Sequence, residues 1–312
     1  VIGILGGGAF GTALAVVLAS DGTAVRLWMR GGAQRLNQSG RNEKRLPGVE
    51  LPRSVVATGS LADLGGASAI LLVLPAQQTN AFVAENIDVF PDVPLVLCAK
   101  GIAREEMKLQ SELIPSEREV AVLTGPGFAG EIARGLPTAL TIASKSPLLE
   151  TLQTQLSRPT VRLYRSDDVV GAQLGGALKN VVAIAAGIAI GAGLGESARA
   201  AIVTRGYAEM RRLALVMGAQ DHTLSGLSGF GDVMLTCASS KSRNFAFGQA
   251  LGRGQIAPAQ TTEGIDTAKA SVDLAQVYKV EMPLASAVVE ILEGRGIGDV
   301  MADLLSRPLR AE

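Results

Sequence analysis

The chain carries a single histidine, His222, only two cysteines, Cys98 and Cys237, a 4% aromatic content and no net charge across 312 residues. Each shortage closes off a class of function. A lone histidine and two distant thiols without Cys-x-x-Cys spacing make a zinc site or a disulfide framework a poor reading, so no metal is expected. The thiols read instead as small core-type residues in a reducing compartment, in keeping with a cytoplasmic protein. With 29 basic residues against 29 acidic ones, the chain as a whole offers no field to attract nucleic acid or an anionic membrane. Neither is expected as a partner, and any polyanion contact must be local.

Long hydrophobic runs are scarce too. The stretch from Asn180 to Gly195 is apolar, but it falls short of the roughly 20 residues a bilayer requires and is rich in Gly and Ala rather than Leu and Phe. A closely packed core helix explains it better than a membrane span. The chain opens directly on Val1-Ile2-Gly3-Ile4-Leu5, with no basic leader or small-residue cleavage site, so no secretory signal is expected. Because Val1 is not a start methionine, a few native residues are expected to precede it. What remains is a chain of 47% apolar content, long enough for two domains with a core each.

Against that background one charge is out of place. From Val169 to Leu194 the chain is almost entirely Val, Ala, Ile, Leu and Gly, yet Lys179-Asn180 interrupts it in the middle. An ammonium buried without a partner costs several kcal/mol or is driven neutral, so Lys179 is either paired, beside a cavity or chemically employed. The alternative is a stem laid along apolar surface with its head in water.

The opening strand runs into Gly6-Gly7-Gly8-Ala9-Phe10-Gly11, with Thr12 to Ala19 reading as the next helix. Gly6, Gly8 and Gly11 fit G-x-G-x-x-G. Such a loop gives a tight turn, a backbone bare enough for a pyrophosphate to approach, and amide N–H groups facing the anion at a helix start. A flexible turn is the alternative. The second strand, Ala24 to Met29, ends on Arg30, where an NAD site commonly has an acid about 20 residues past the glycines. Arginine suits a 2′-phosphate, which favours NADP over NAD, although Arg30 could equally be a solvated charge or stack on the adenine of either cofactor.

Further strands are predicted at Ser68 to Leu74, Pro94 to Ala99, Val120 to Thr124 and Pro137 to Ser144, with Thr160 to Tyr164 as a late edge strand. Ligands of such sheets collect beyond the carboxyl ends of the strands, which puts Pro75, Lys100-Gly101 and Gly125-Pro126-Gly127-Phe128-Ala129 at a cofactor cleft. Lys100 is either a rim cation for an anionic substrate or a capping or surface lysine. After about Ser166 the pattern turns helical throughout. Asp167 and Asp168 suit the start of the helix carrying Lys179, and Gly171, Gly175, Gly176 and Gly187 supply surfaces for close approach. A second helix is predicted from Glu196 to Met217, and Asp232 opens another, with Thr236 on the same face. Ser242-Arg243-Asn244 offers a hydroxyl, a guanidinium and an amide suited to phosphate oxygens. Singly, Asp232 could be a helix cap and Ser242-Arg243-Asn244 an ordinary loop.

Taken together, these segments resemble one family over nearly the whole length. They are Gly6 to Ala15, Asn42 through Leu46-Pro47-Gly48, Lys100-Gly101, Gly125 to Ala129 with Glu131 and Pro137-Thr138, Ala177 to Asn180, Thr204-Arg205-Gly206, Gly229 to Asp232 through Thr236-Cys237, and Ser242 to Asn244. In order and spacing the chain resembles the bacterial NAD(P)-dependent glycerol-3-phosphate dehydrogenases. The resemblance implies an α/β fold with a Rossmann-type sheet domain, about 1–165, followed by an all-helical substrate domain, 166–312, of the 6-phosphogluconate-dehydrogenase type. It implies interconversion of sn-glycerol 3-phosphate and dihydroxyacetone phosphate, a supply of glycerol 3-phosphate for phospholipid synthesis, and a cytoplasmic homodimer.

By the same resemblance Lys179 is the proton donor and acceptor, and Asp232 and Lys100 complete the catalytic electrostatics. Substrate would be held by Lys100, Gly125, Lys179, Asn180, Asp232, Thr236, Ser242, Arg243 and Asn244. The cofactor would face Gly6, Gly8, Ala9, Phe10, Gly11, Arg30, Lys100, Ala129, Arg243 and Glu263. A positive charge at Lys100 would lower the proton affinity of Lys179 towards working pH. His222, in a setting that looks like a loop after Gly218, makes a poor base. Three departures stand out: Gly127 where the family has serine, Gln173 where glutamate is common, and Ser197 where asparagine is common. A ketopantoate-type or β-hydroxy-acid dehydrogenase, and a nicotinamide-binding regulator without turnover, are the competing readings.

Overall fold

The structure, a computed structural model, describes residues 1–256 and 263–306. Short strands, mostly buried on both faces, are the signature of a sheet covered by helices on either side. They are Ile2–Leu5 (β1), Val25–Trp28 (β2), Val55–Thr58 (β3), Ala69–Leu72 (β4), Leu95–Leu97 (β5), Val120–Thr124 (β6), Thr138–Ala143 (β7) and Val161–Ser166 (β8). One sheet takes them in the order β3-β2-β1-β4-β5-β6-β7-β8, parallel except where β7 runs against β6. The first six follow the doubly wound order that strand, glycine loop and helix led one to expect. β8 is an edge strand as anticipated. β3 was not anticipated: it is four residues long, pairs only with β2, and leaves Val56 exposed, so neither length nor alternation marks it.

Helices between the strands are Ala9–Leu18 (α1), Ala33–Ser39 (α2), Ala76–Asn86 (α3), Ala129–Ala133 (α4) and Leu149–Leu156 (α5). Beyond β8 come Val169–Gly191 (α6), Gly195–Val216 (α7), Asp221–Ser225 (α8), Asp232–Cys237 (α9), Arg243–Gly252 (α10), Glu263–Val277 (α11), Pro283–Leu292 (α12) and Ile297–Ser306 (α13). α1 begins three residues earlier than the sequence suggested, so Phe10 and Gly11 lie in its first turn and Gly8 is its cap. Its far end is held by Arg158, whose Nε and Nη2 donate to the Leu18 carbonyl at 3.1 and 2.7 Å, a cation where the helix dipole is negative.

α6 is the axis of the molecule. Asp168 caps it, accepting from Gly171 N–H at 2.7 Å, while its second oxygen accepts from Gln220 N–H at 2.7 Å, so one carboxylate fixes the starts of α6 and α8. Glycine costs a helix about 1 kcal/mol relative to alanine, and here the cost secures contact. A Cβ on Gly187 or Gly191 would lie 2.1 or 2.2 Å from a carbonyl oxygen of α10, and one on Gly248 or Gly252 of α10 would lie 2.1 or 2.3 Å from a carbonyl of α6. The two helices therefore meet backbone to backbone. α6 also ties the halves together: Ala172 packs with Leu72, Leu97 and Val122 of the sheet, and Ile102 and Leu109, from the excursion after β5, pack among the helices with Leu174 and Leu178. It is long and apolar enough to cross a membrane, but most of it is buried inside the fold.

A second buried charge lies on α7. Glu209 accepts from Leu284 N–H at 2.8 and 3.0 Å and from Ala285 N–H at 3.2 Å, capping α12 from another helix where Met282 offers no side-chain cap. Burial pushes its carboxyl up from 4.5 to about 7, against the pull of those amides and of Arg212 and Arg205. The folded protein thus holds this proton more tightly than the unfolded chain does. Stability from this site is full below about pH 4.5 and is lost as pH rises through about 7. The urea midpoint should fall across that window, and Glu209→Gln, which keeps an acceptor but cannot ionise, should flatten the fall; equal slopes in parent and variant would contradict the assignment.

Candidate active site

The site forms where the carboxyl ends of β1, β5 and β6 meet α6, α9 and the start of α10. At β1 the chain turns through Gly6 at φ +126°, and a Cβ there would lie 2.3 Å from the Val73 carbonyl oxygen. A Cβ on Gly11 would lie 2.0 Å from the Gly6 carbonyl oxygen, so loop and helix touch directly, whereas the space over Gly8 is open to 4 Å. Gly6, Gly8, Ala9, Phe10 and Gly11 therefore make a bare cradle at the α1 start, which fits a pyrophosphate. Arg30 is exposed just past β2 and flanks this loop, since Met29 lies against Gly7.

Lys179 is buried and does not snorkel. Its Nζ donates to Asp232 Oδ1 and, at 2.9 Å, to Thr236 Oγ1, which itself lies 3.2 Å from Asp232 Oδ1 along one face of α9. Lys100 emerges from the end of β5 and donates to Asp232 Oδ2 at 2.7 Å and to the Gly125 carbonyl at 2.8 Å. One fully buried carboxylate thus serves two ammonium groups. Burial lowers the Lys179 amine from 10.5 to about 8; Asp232 opposes the shift and Lys100 adds to it. Lys100 lowers it as expected, and desolvation is the larger cause.

A ladder of amides backs this cluster. Asn180 Nδ2 donates to the Lys100 carbonyl at 2.9 Å, Asn244 Nδ2 donates to Asn180 Oδ1 at 2.8 Å, and Gly264 N–H donates to Asn244 Oδ1 at 3.1 Å. Each amide nitrogen carries a second hydrogen beyond the bond named. Ser242 caps α10, accepting from Phe245 N–H at 3.2 Å, and exposed Arg243 is that helix's first residue. Glu263 opens α11 and reaches across to accept from Ala76 N–H at 3.3 Å. Ala129 starts α4, where Glu131 meets Lys241 Nζ at 2.7 Å, a cross-cleft pair that the sequence left unassigned. His222 sits exposed on α8 rather than in a loop, and no part of this cluster involves it.

Two family models cover the chain: the N-terminus of NAD-dependent glycerol-3-phosphate dehydrogenase matches residues 1–149 and its C-terminus matches 168–301. The chain belongs to the NAD-dependent glycerol-3-phosphate dehydrogenase family. Among its relatives, proteins called glycerol-3-phosphate dehydrogenase [NAD(P)+] from Roseobacter denitrificans and Paracoccus denitrificans are 50% and 51% identical, each aligned over 100% of this chain and 99% of its own length. A crystal structure of glycerol-3-phosphate dehydrogenase from Coxiella burnetii superimposes with a TM-score of 0.93 at 37% identity, covering 98% of both chains. Two of the departures from the family pattern, Gly127 and Gln173, have local accommodations. A Cβ at Gly127 would lie 2.9 Å from Ile132 Cδ1, so isoleucine fills the space beside it, and Gln173 both accepts from Ser111 N–H at 3.1 Å and donates to Ser111 Oγ at 2.8 Å.

The shared carboxylate has a consequence for this dehydrogenase. Asp232→Asn leaves two cations against a neutral amide in a buried site, and breaking such a pair costs about 3 kcal/mol. Urea denaturation should register that loss, and the Lys179 proton, deprived of the attraction that holds it, should leave at lower pH. Parent stability in Asp232→Asn would contradict the pairing.

Proposed function

We propose that Lys179 is the acid and base of a reaction in which dihydroxyacetone phosphate is reduced at C2 to sn-glycerol 3-phosphate, feeding phospholipid synthesis. The observation that carries this is a buried amine, lowered by burial from 10.5 to about 8 and held by Asp232, beside the carboxyl end of the sheet that also carries the glycine loop. NAD(P)H, when bound, supplies the hydride. In the reducing direction the Lys179 ammonium polarises the C2 carbonyl oxygen and passes it a proton; in the oxidising direction the free amine takes the hydroxyl proton. Asp232 and Thr236 aim the amine. Lys100 adds a second positive charge, so the cluster carries an excess of one cation and favours an anionic substrate.

The phosphate is assigned to the start of α10, where Ser242, Arg243 and Asn244 follow one another and Asn244 bonds Asn180, with Gly125 and Lys100 on the sheet side. The cofactor is assigned to the glycine cradle, Phe10, Ala129, Arg243 and Glu263. Arg30 supports a preference for NADP, since a guanidinium beside the loop suits a 2′-phosphate. The division between the two domains is set near 165, between β8 and α6. A homodimer in the cytoplasm goes with this reading through the family resemblance.

The test is oxidation of NADPH and NADH by the parent and by Lys179→Ala, with dihydroxyacetone phosphate against unphosphorylated ketones and ketopantoate. Lys179→Ala should lower kcat about 10²-fold or more while cofactor binding persists. Because the working form for reduction is the ammonium, the parent's reduction rate should fall as pH rises through about 8, and its oxidation rate should rise through the same pH. Undiminished turnover in Lys179→Ala, or a preference for ketopantoate, would overturn the assignment.

A further inference from the structure

The Asn42 to Gly48 segment takes no part in the proton transfer or the phosphate contacts. It leaves α2 after Gly40, and an Arg41–Glu50 bridge and a Leu51 N–H to Gly40 carbonyl bond of 2.8 Å close its base. Leu46 and Val49 anchor it in the core that includes Ile4, Leu14 and Leu27. Inside this excursion the Asn42 carbonyl accepts from Arg45 and Leu46 N–H at 3.0 and 2.8 Å. The backbone around Asn42 is therefore fixed before its side chain does anything.

That side chain is buried, and it reaches the glycine loop. Asn42 Nδ2 donates to the Gly7 carbonyl at 3.1 Å and to Thr12 Oγ1 at 2.8 Å, while Thr12 N–H bonds the Gly8 carbonyl at 2.9 Å. Both amide hydrogens are thus engaged, one on the loop and one on the first turn of α1. A trans peptide is planar with its C=O and N–H opposed, so holding the Gly7 oxygen towards Asn42 turns the Gly8 N–H to the other side. Gly8 is the cap of α1 and has open space over it, where an anion would lie.

We propose that Asn42 is a positioning residue for the dinucleotide: it sets the Gly7–Gly8 peptide plane and locks the loop to α1, so that the Gly8 amide is presented to the pyrophosphate. This rests on the reading of the glycine loop as the cofactor cradle. Without the amide donors the peptide can rotate, and the loop must be ordered by the ligand at the ligand's expense.

The test compares the parent with Asn42→Leu, near in size, uncharged and without donors, and with Thr12→Val, which removes only one acceptor. Dissociation constants of NADPH, NADH and ADP-ribose are read by fluorescence titration or calorimetry, beside kcat at saturating cofactor and KM for dihydroxyacetone phosphate. Losing a buried pair of hydrogen bonds predicts about a tenfold or greater rise in Kd for all three pyrophosphate ligands in Asn42→Leu, and a smaller rise in Thr12→Val. kcat and the KM for dihydroxyacetone phosphate should stay within about twofold, a split that general unfolding would not give. Should Asn42→Leu not fold, Asn42→Gln, with its donors displaced by one methylene, must show the same pattern. Unchanged Kd values in folded variants, or losses spread equally over kcat and KM, would overturn the proposal. Failure of the parent to bind any of the three ligands would instead remove the cradle reading itself.

Discussion

A single carboxylate organises the site. Asp232 is buried at the start of α9 and receives Lys179 from α6 on one oxygen and Lys100 from the end of β5 on the other. Buried Lys179 could not keep its charge uncompensated, and the carboxylate could not be buried alone. Since Lys100 belongs to the sheet and Lys179 and Asp232 to the helices, the ion triad is also a bond between the halves. The amide ladder from Lys100 through Asn180 and Asn244 to Gly264 runs alongside it and ties in α10 and α11.

The scaffold works to keep that arrangement rigid. Glycines on α6 and α10 let two backbones touch, which brings Asn244 beside Asn180 without long side chains spanning a gap. Asp168 and Glu209 act as caps shared between helices, the first uniting α6 with α8 and the second uniting α7 with α12. Such shared caps replace loops as the means of fixing helix positions.

Much of this could be read from the chain. The glycine loop, the helix broken by Lys179-Asn180 and the Asp232 and Thr236 pair one turn apart carried enough local pattern to place a strand-loop-helix glycine turn and a buried, paired amine. β3 was missed because four residues at a sheet edge carry no periodicity, and the α1 start was set late because Phe10 and Gly11 look like loop until Gly8 is seen as the cap. The Lys100 contribution to the Lys179 shift was legible, whereas the depth of burial that outweighs it exists only in the fold. Asn42 is the extreme case, since its contact with Gly7 crosses 35 positions and no local pattern signals it.

The Lys179 amine is buried and paired, and burial nonetheless lowers it from 10.5 to about 8. The most direct test is an NMR titration of the Lys179 side chain in the ligand-free protein, with the resonance assigned by its loss in Lys179→Met. A midpoint near pH 8 is the predicted result. A midpoint at or above the ordinary lysine value of 10.5 would mean that Asp232 outweighs burial, and would contradict the account.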